Sequence, residues 1–86
     1  MLRAFLFMIT VYVLESLSSQ IWYTGMTMNI RQRLFDHNAG KSKFTKGHRP
    51  WKIIYSEILP DWAVARMREK YLKSAAGKKW LKNYLA

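Results

Sequence analysis

The residue types best suited to chemistry lie on a short aromatic stretch and on the polar segment after it. Tyr23 and Gly25 end the stretch, and Arg33 and His37 follow four positions apart. On an α-helix, residues four apart project from one face. A tyrosine, an arginine and a histidine that converge on one small volume could bind a phosphodiester group.

A further candidate is Glu69, an acidic residue on the predicted inward face of a later helix. Trp62, Ala65 and Leu72 define that face by their three- and four-residue spacing. A carboxylate there is costly to desolvate unless it is paired or binds a cation. Glu69 is therefore interpreted either as a structural ion-pair partner of an arginine or as a metal ligand or catalytic carboxylate.

The small number of acidic residues limits the kind of metal site. With only 5 Asp and Glu in the chain, a cage of carboxylates is disfavoured. One carboxylate, completed by waters and substrate phosphates, is a common way to hold Mg²⁺.

Tyr12 lies on a segment predicted to pair with the one that carries Tyr23. A buried tyrosine on a strand is usually a core residue, and single arginines and histidines on helices are usually solvated. Together, however, Tyr12, Tyr23, Arg33, His37 and Glu69 are the residue types that metal-assisted phosphodiester hydrolysis requires.

Charge points to an anionic partner. The chain of 86 residues has 15 Lys and Arg and a formal net charge of +10. Nucleic acid and anionic membrane surfaces are the usual partners of such chains; a generic solubilising excess of lysine is the alternative. The chain has no cysteine, which excludes disulfides, thiolate zinc sites and cysteine nucleophiles.

The N-terminus resembles a signal peptide only superficially. Residues 4–14 are almost wholly apolar and follow Arg3, but Glu15 comes next without a small-residue cleavage site. The run is also shorter than the roughly 20 residues of a membrane span. We therefore predict a buried strand in a cytoplasmic protein, with residues 1–7 as an N-terminal extension and Met8 as an alternative start.

The hydrophobic pattern predicts one small α+β domain with the order β-β-α-β-α-α. The first strand is expected to be central and to form an antiparallel hairpin with the second through a polar turn. Strands are predicted at residues 9–15, 20–25 and 51–57, helices at 30–38, 62–73 and 78–85, a basic loop at 41–50 and a break at 74–77.

Cap signals support these boundaries. Asn29 is a good N-cap, Gln32 would complete a capping box, Gly40 suits a C-cap, and Asp61 caps the second helix. The predicted apolar faces are Ile30, Leu34 and Phe35 in the first helix, and Trp80, Leu81, Tyr84 and Leu85 in the last.

The order of these motifs resembles the GIY-YIG nuclease superfamily. Residues 11–13 (Val-Tyr-Val) correspond to the family's first motif, and residues 22–25 (Trp-Tyr-Thr-Gly) correspond to its second. Residues 29–38 correspond to the helix with the family's arginine and histidine. Residues 49–52 and 68–73 are similar to those of small stand-alone bacterial members. The similarity covers Met8 to the C-terminus.

The resemblance implies a three-stranded antiparallel sheet flanked by helices, and phosphodiester cleavage without a covalent intermediate. It implies that Tyr12 and Tyr23 are site tyrosines, one of which assists deprotonation of the attacking water. Arg33 would bind the scissile phosphate, and His37 would orient a tyrosine or relay its proton. Glu69 would hold one divalent cation, Mg²⁺ or Mn²⁺.

The sequence departs from the family pattern in three places. The first motif lacks its glycine, and the second reads Tyr-Thr-Gly. The asparagine that the family often has well after the glutamate lacks a clear counterpart, and Asn83 is the nearest candidate.

Basic residues are placed to hold a nucleic acid backbone, which gives affinity without sequence information. The aromatic residue among them, Phe44, is interpreted either as loop packing, the commoner case, or as a base-stacking residue. The predicted nucleic-acid-binding residues are Lys41, Lys43, Lys46, Arg49, Lys52, Lys73, Lys78 and Lys79.

Three functions follow from these observations. The first is a Mg²⁺- or Mn²⁺-dependent DNA endonuclease of repair or recombination, with the strand structure of the DNA, and RNA as a substrate, left open. The second is a non-catalytic nucleic-acid-binding module with the nuclease fold. The third, a membrane-surface protein that uses its C-terminal helix, is disfavoured because a membrane does not need the Tyr, Arg, His and Glu set.

Overall fold

The structure is a computed structural model that describes residues 8–86. In this part of the chain three strands form one antiparallel sheet with the spatial order β2-β1-β3. They are β1 (Ile9–Ser16), β2 (Trp22–Thr27) and β3 (Trp51–Leu59). The helices are α1 (Ile30–Asn38), α2 (Lys43–Lys46), α3 (Trp62–Lys73) and α4 (Ala75–Leu85). The predicted extension, residues 1–7, lies outside the described residues.

The central position predicted for the first strand is confirmed, as is the α+β fold. Strand β1 is buried on both faces because β2 and β3 flank it and helices cover both sides. We call its two sides the core face, with Ile9, Val11 and Val13, and the tyrosine face, with Tyr12 and Leu14. The core face packs against α3 and α4, and the tyrosine face packs against α1 and the start of β3.

The N-cap of α1 is confirmed, but the capping box is not. The Asn29 side chain accepts a hydrogen bond from the backbone N–H of Gln32 at 3.1 Å. The Gln32 amide does not reach back, and it donates instead to Asp36 at 2.9 Å. The Asn29 N–H is satisfied by the hydroxyl of Thr27 at 3.1 Å.

The C-terminus of α1 is capped at Gly40, as predicted. Gly40 has a φ of 81°, a left-handed conformation that glycine adopts without strain. The N–H of Gly40 donates to the carbonyl of His37, and the N–H of Lys41 donates to that of Asp36. These two bonds form a Schellman motif that satisfies the last carbonyls of the helix.

The predicted apolar face of α1 is wrong at one position. Phe35 is 62% exposed, whereas His37 is fully buried. Ile30 and Leu34 are half-buried and pack against the tyrosine face, as predicted. Because His37 shares the face of Arg33 one turn earlier, α1 turns polar residues as well as the apolar Ile30 and Leu34 toward the sheet.

The predicted basic loop, residues 41–50, contains the one-turn helix α2. Thr45 on this helix is fully buried, and the indole N–H of Trp51 donates to its carbonyl at 2.8 Å. The Asn38 side chain clamps the same strand end, because it accepts from the Trp51 N–H at 2.7 Å and donates to the Trp51 carbonyl at 3.1 Å. The loop is therefore fixed to both α1 and β3.

The helices α3 and α4 are nearly continuous in sequence. Asp61 caps α3 as predicted and accepts from the N–H of Val64 at 2.9 Å. The predicted break, residues 74–77, is a single residue, Ser74, whose side chain accepts from the N–H of Gly77 at 3.1 Å. The predicted start of the last helix is therefore three residues late.

The inward faces of α3 and α4 are narrower than predicted. Ala65, Leu72 and Leu81 are buried against the core face, and Trp80 is half-buried. Trp62, Tyr84 and Leu85 were predicted on these faces, but they are exposed by 49%, 63% and 42%. In residues 8–86 no helix has the length and apolar character needed to cross a membrane.

Candidate active site

The register of β1 and β2 places Tyr12 directly opposite Gly25 on the tyrosine face. A Cβ atom on Gly25 would lie 2.6 Å from the Tyr12 hydroxyl oxygen, which is closer than real Cβ contacts come. The glycine that ends the second motif therefore leaves the space through which the Tyr12 side chain extends.

Three of the predicted site residues form a compact aromatic cluster from three different elements. Tyr12 comes from β1, Tyr23 from β2 and His37 from α1. The centroids of the two tyrosine rings are 6.5 Å apart, and that of His37 lies 6.0 Å from Tyr12 and 5.0 Å from Tyr23. The predicted convergence of a strand-end tyrosine with the helix histidine is present in the structure.

A chain of hydrogen bonds runs through His37. Its Nε2 lies 3.0 Å from the Tyr12 hydroxyl, and its Nδ1 lies 2.7 Å from the hydroxyl of Thr45. Thr45 donates its own proton to the carbonyl of Ser42 at 3.5 Å. With the Thr45 proton on Ser42, we assign Nδ1–H as the donor to Thr45 and Nε2 as the acceptor of the Tyr12 proton.

The protonation equilibria agree with this assignment. Burial raises the pKa of Tyr12 to about 12, with smaller increases from the charges of Tyr23 and Glu69 and an opposing effect of Arg33. Burial lowers the pKa of His37, and the positive charge of Arg33 lowers it further. At neutral pH Tyr12 keeps its proton and His37 is a neutral acceptor.

Arg33 lies one turn before His37 on α1 and is half-buried. Its guanidinium approaches the Tyr12 hydroxyl closely enough to oppose the rise in the Tyr12 pKa. A permanent positive charge therefore stands beside a hydroxyl that bonds to a neutral imidazole. Arg33 can therefore bind an anion, and the Tyr12–His37 hydrogen bond can transfer a proton, within the same small volume.

Glu69 extends from α3, and its side chain is 15% exposed. It forms an ion pair with Lys73 at 3.3 Å, one turn along the helix, rather than with the arginine that the structural interpretation predicted. Its negative charge is near enough to Tyr12 to raise the tyrosine pKa. Among residues 8–86 no three His, Asp or Glu side chains group as metal ligands would.

Thr45 is the site residue that sequence reasoning missed. It lies between Phe44 and Lys46 in a segment interpreted as a loop, and a single threonine there has no distinctive spacing. A helical α2 would have been the signal, because only that turn brings the Thr45 hydroxyl to His37. Four residues are too few for a helical period to show in sequence.

The predicted nucleic-acid-binding residues are all exposed, and they fall into two groups along the chain. Five lie around α1, α2 and the start of β3, and three lie on α3 and α4, over the core face. Three form ion pairs within the chain, since Lys41 pairs with Asp36, Lys52 with Glu15 and Lys73 with Glu69. The first group is Lys41, Lys43, Lys46, Arg49 and Lys52, and the second is Lys73, Lys78 and Lys79.

The position offered for the family asparagine is not part of the cluster. Asn83 is exposed near the end of α4. Its side chain makes no hydrogen bond with any residue in the part of the chain that the structure describes.

Together, a three-stranded sheet, two facing tyrosines and an arginine–histidine helix define a nuclease-like α+β domain. Residues 8–84 match the family model of the GIY-YIG catalytic domain. The chain therefore belongs to the GIY-YIG family, and the resemblance drawn from its motifs is confirmed. This membership implies a nuclease-type function and a nucleic acid substrate in general.

Relatives of the chain are small proteins of the same size. It is 42% identical over 65 residues to a UPF0213 protein of Syntrophus aciditrophicus, covering 73% of this chain and 74% of that protein. It is 36% identical over 73 residues to a UPF0213 protein of Staphylococcus haemolyticus, covering 84% and 88%.

A solved structure agrees with the fold. The solution NMR structure of the UPF0213 protein BH0048 from Bacillus halodurans superposes with a TM-score of 0.56 and 30% identity. The match covers 90% of this chain and 84% of that one. The names of these relatives state no activity.

Proposed function

We propose that this protein is a divalent-metal-dependent endonuclease that hydrolyses DNA phosphodiester bonds in the cytoplasm, in repair or recombination. Residues 8–86 would be its single nuclease domain, and residues 1–7 an extension. The observation that carries the proposal is the buried Tyr12–His37–Thr45 hydrogen-bond chain beside Arg33. Binding of nucleic acid alone does not require a buried tyrosine that faces a neutral imidazole beside an arginine.

The hydrogen bonds supply a route for one proton. An attacking water would give a proton to the Tyr12 oxygen while the Tyr12 proton passes to His37 Nε2 across the 3.0 Å hydrogen bond. Thr45 keeps His37 in the tautomer that can receive it. The imidazolium that results would stand near Arg33, and the negative charge that develops on the phosphorane would offset this repulsion.

Arg33 is the residue suited to the scissile phosphate. Its planar guanidinium can donate two parallel hydrogen bonds to phosphate oxygens. Its closeness to Tyr12 would hold the phosphorus near the oxygen that activates water. Tyr23, whose ring lies 5.0 Å from that of His37, would limit how far the imidazole can turn.

Glu69 is the side chain that fits a divalent cation. A carboxylate is the hard oxygen donor that Mg²⁺ and Mn²⁺ prefer, and with one carboxylate the remaining positions would be filled by water and phosphate oxygens. When bound, such a cation supplies electrostatic stabilisation of the phosphoryl and leaving oxygens. The ion pair with Lys73 would have to open for it.

The second candidate function is a nucleic-acid-binding module without catalysis. Two observations favour it: Lys73 already neutralises Glu69, and Asn83 lies outside the cluster. A module of this kind would retain the fold and the basic surface but would lack an accessible metal ligand.

Cleavage of supercoiled plasmid and branched DNA separates the two candidates. We expect wild type to cut with Mg²⁺ or Mn²⁺, and to stop on addition of EDTA. Glu69→Gln and Arg33→Ala should each lose at least about 100-fold in rate, as is typical when one group that stabilises transition-state charge is removed. Glu57→Gln is the matched control. Glu57 lies on β3 and is also an ion-paired acid, with Arg68 of α3 as its partner, and it is not among the charges that shift the pKa of Tyr12.

The outcome assigns the function. If wild type and Glu57→Gln cut alike while the two site variants do not, the nuclease proposal stands. If all four proteins bind DNA in a salt-sensitive manner and none cuts any substrate, the protein is a binding module.

A further inference from the structure

Phe44 is an exposed aromatic residue beside the candidate active site. It lies on α2, and 54% of its surface is exposed. Its ring stacks on that of Tyr23, with centroids 6.1 Å apart and planes inclined by 28°. His48 borders the same ring at 5.2 Å. The tyrosine face therefore continues outward, from buried Tyr12 through Tyr23 to a solvent-facing ring.

Packing of α2 does not account for this position. The helix is anchored by Thr45, which is fully buried, bonds to His37 and accepts from the Trp51 indole. Phe44, by contrast, leaves about half of a large apolar side chain in water. The predicted packing role is therefore only partly met, by the contact with Tyr23.

Positive charges flank the exposed ring. Lys43 and Lys46 lie on either side of Phe44 in sequence, and both are exposed. In the part of the chain that the structure describes, neither takes part in an ion pair. An aromatic ring between unneutralised cations is the combination with which proteins hold the bases and backbone of unpaired nucleic acid.

We propose that Phe44 is a subsite on which a nucleobase of the substrate stacks, next to the scissile phosphate. The proposal rests on the nuclease function proposed above. Tyr23 separates Phe44 from the Tyr12–His37 pair, so a phosphate held at Arg33 would place a neighbouring nucleotide over the Phe44 ring. Lys43 and Lys46 would contact the phosphates of that nucleotide. Because every base has a stacking face, the subsite would accept all four.

Phe35 is a matched control within the same molecule. It is also an exposed phenylalanine, at 62%, and Lys41 lies 5.9 Å above its ring. It differs in location, since it does not stack on Tyr23 and does not belong to the cluster on the tyrosine face. Any general effect of removing a surface phenylalanine should appear at both positions.

The test measures binding of a short single-stranded oligonucleotide in EDTA, so that the full-length protein binds without cutting. The oligonucleotide contains 2-aminopurine, whose fluorescence is quenched by stacking. We expect Phe44→Ala to weaken binding by about 5- to 150-fold, the range for loss of one stacked base, and to abolish part of the quenching. Phe35→Ala should bind within about twofold of wild type, and Phe44→Trp should keep both signals.

Phe44→Leu distinguishes base stacking from a purely structural role of the Phe44 side chain. Leucine retains most of the apolar contact with Tyr23 but has no stacking face, so we expect it to lose quenching while its thermal unfolding stays close to that of wild type. If Phe44→Leu binds and quenches like wild type, the residue only packs and the subsite is overturned. The same conclusion follows if Phe44→Ala and Phe35→Ala are indistinguishable.

Cleavage measured in parallel separates this proposal from the nuclease proposal. If wild type cuts and Phe44 makes no difference to binding, only the subsite fails. If Phe44 carries binding but no protein cuts any substrate, the subsite belongs to a binding module and the catalytic proposal fails. If wild type binds no nucleic acid, both are overturned.

Discussion

The two faces of the central strand β1 differ in the kind of side chain that they bury. On the core face, Ile9, Val11 and Val13 are fully buried against apolar side chains of α3 and α4. On the tyrosine face, Tyr12 is equally buried, but its hydroxyl bonds to His37. Apolar burial is non-directional and tolerates small shifts, whereas a buried hydroxyl and imidazole must keep their partners within hydrogen-bond distance.

The core face stabilises this small domain by apolar packing, and the tyrosine face contains buried polar groups. In the part of the chain that the structure describes, every buried side-chain nitrogen or oxygen has a hydrogen-bond partner. The buried polar groups of the tyrosine face are thus all hydrogen-bonded. Arg33 and Tyr23, which are partly exposed, connect this face to solvent. The core face can hold the fold while the other face holds groups that could react.

Each face also depends on a glycine, and the two glycines meet different atoms. A Cβ on Gly77 would lie 1.8 Å from the backbone carbonyl oxygen of Tyr71, where the start of α4 crosses the end of α3. A Cβ on Gly25 would meet the Tyr12 hydroxyl at 2.6 Å, the far end of a side chain. The helix backbone around Gly77 and Tyr71 cannot move without shifting a whole helix, whereas the Tyr12 side chain can rotate.

The largest effect on stability is expected from Gly77→Ala. The added methyl must push α4 away from α3, which should lower the free energy of unfolding by about 3 kcal/mol or more. Denaturant unfolding measures this change. Gly47→Ala is the control, since the nearest atom to its Cβ would be at an ordinary 3.9 Å, and we expect little change. Equal stabilities of the two variants would contradict the close crossing of α3 and α4.

Gly25→Ala should separate activity from stability. Displacement of the Tyr12 hydroxyl would break its 3.0 Å bond to His37, and a shift of about 1 Å in a site can cost on the order of 100-fold in rate. The stability loss should be smaller than for Gly77→Ala, roughly 1–2 kcal/mol. Plasmid cleavage and denaturant unfolding on the same preparation give both numbers. Wild-type cleavage by Gly25→Ala would contradict a role for the Tyr12 position.

The sequence predicts most of this fold because its strongest signals are local. The apolar run of β1, the cap residues Asn29 and Asp61 and the αL glycine Gly40 each act within a few residues. Several of the wrong predictions concern exposure. Trp62 and Phe35 are large and apolar, yet they lie outside, because in a domain with few layers the sheet covers only one side of each helix.

The candidate site could be predicted in part, for a related reason. Tyr12, Tyr23 and His37 come together because the pairing of the two strands and the helix spacing follow from sequence. Thr45 could not be predicted, since its contact with His37 depends on how α2 docks between α1 and β3. The catalytic roles of all five candidate residues, Tyr12, Tyr23, Arg33, His37 and Glu69, stay predictions until variants are assayed.

Acid should weaken the tyrosine face and leave the core face unchanged. Burial lowers the pKa of His37 below its ordinary 6.5, Arg33 lowers it further, and Asp36 opposes. As the pH falls below about 6.5, the unfolded chain takes up a proton that the folded protein resists. The free energy of unfolding is therefore independent of this group above that pH. Below it we expect a decrease of at most about 1.4 kcal/mol per pH unit.

Denaturant unfolding at about pH 8 and about pH 5, for wild type and for His37→Gln, isolates this effect. The pKa of Asp36 is lowered from 3.8, mainly by the hydrogen bond from Gln32, so its contribution is lost only at more acidic pH. The apolar residues of the core face do not titrate. A steeper loss for wild type than for His37→Gln therefore measures the buried imidazole itself, and parallel curves would contradict a neutral, buried His37 and the proton route that depends on it.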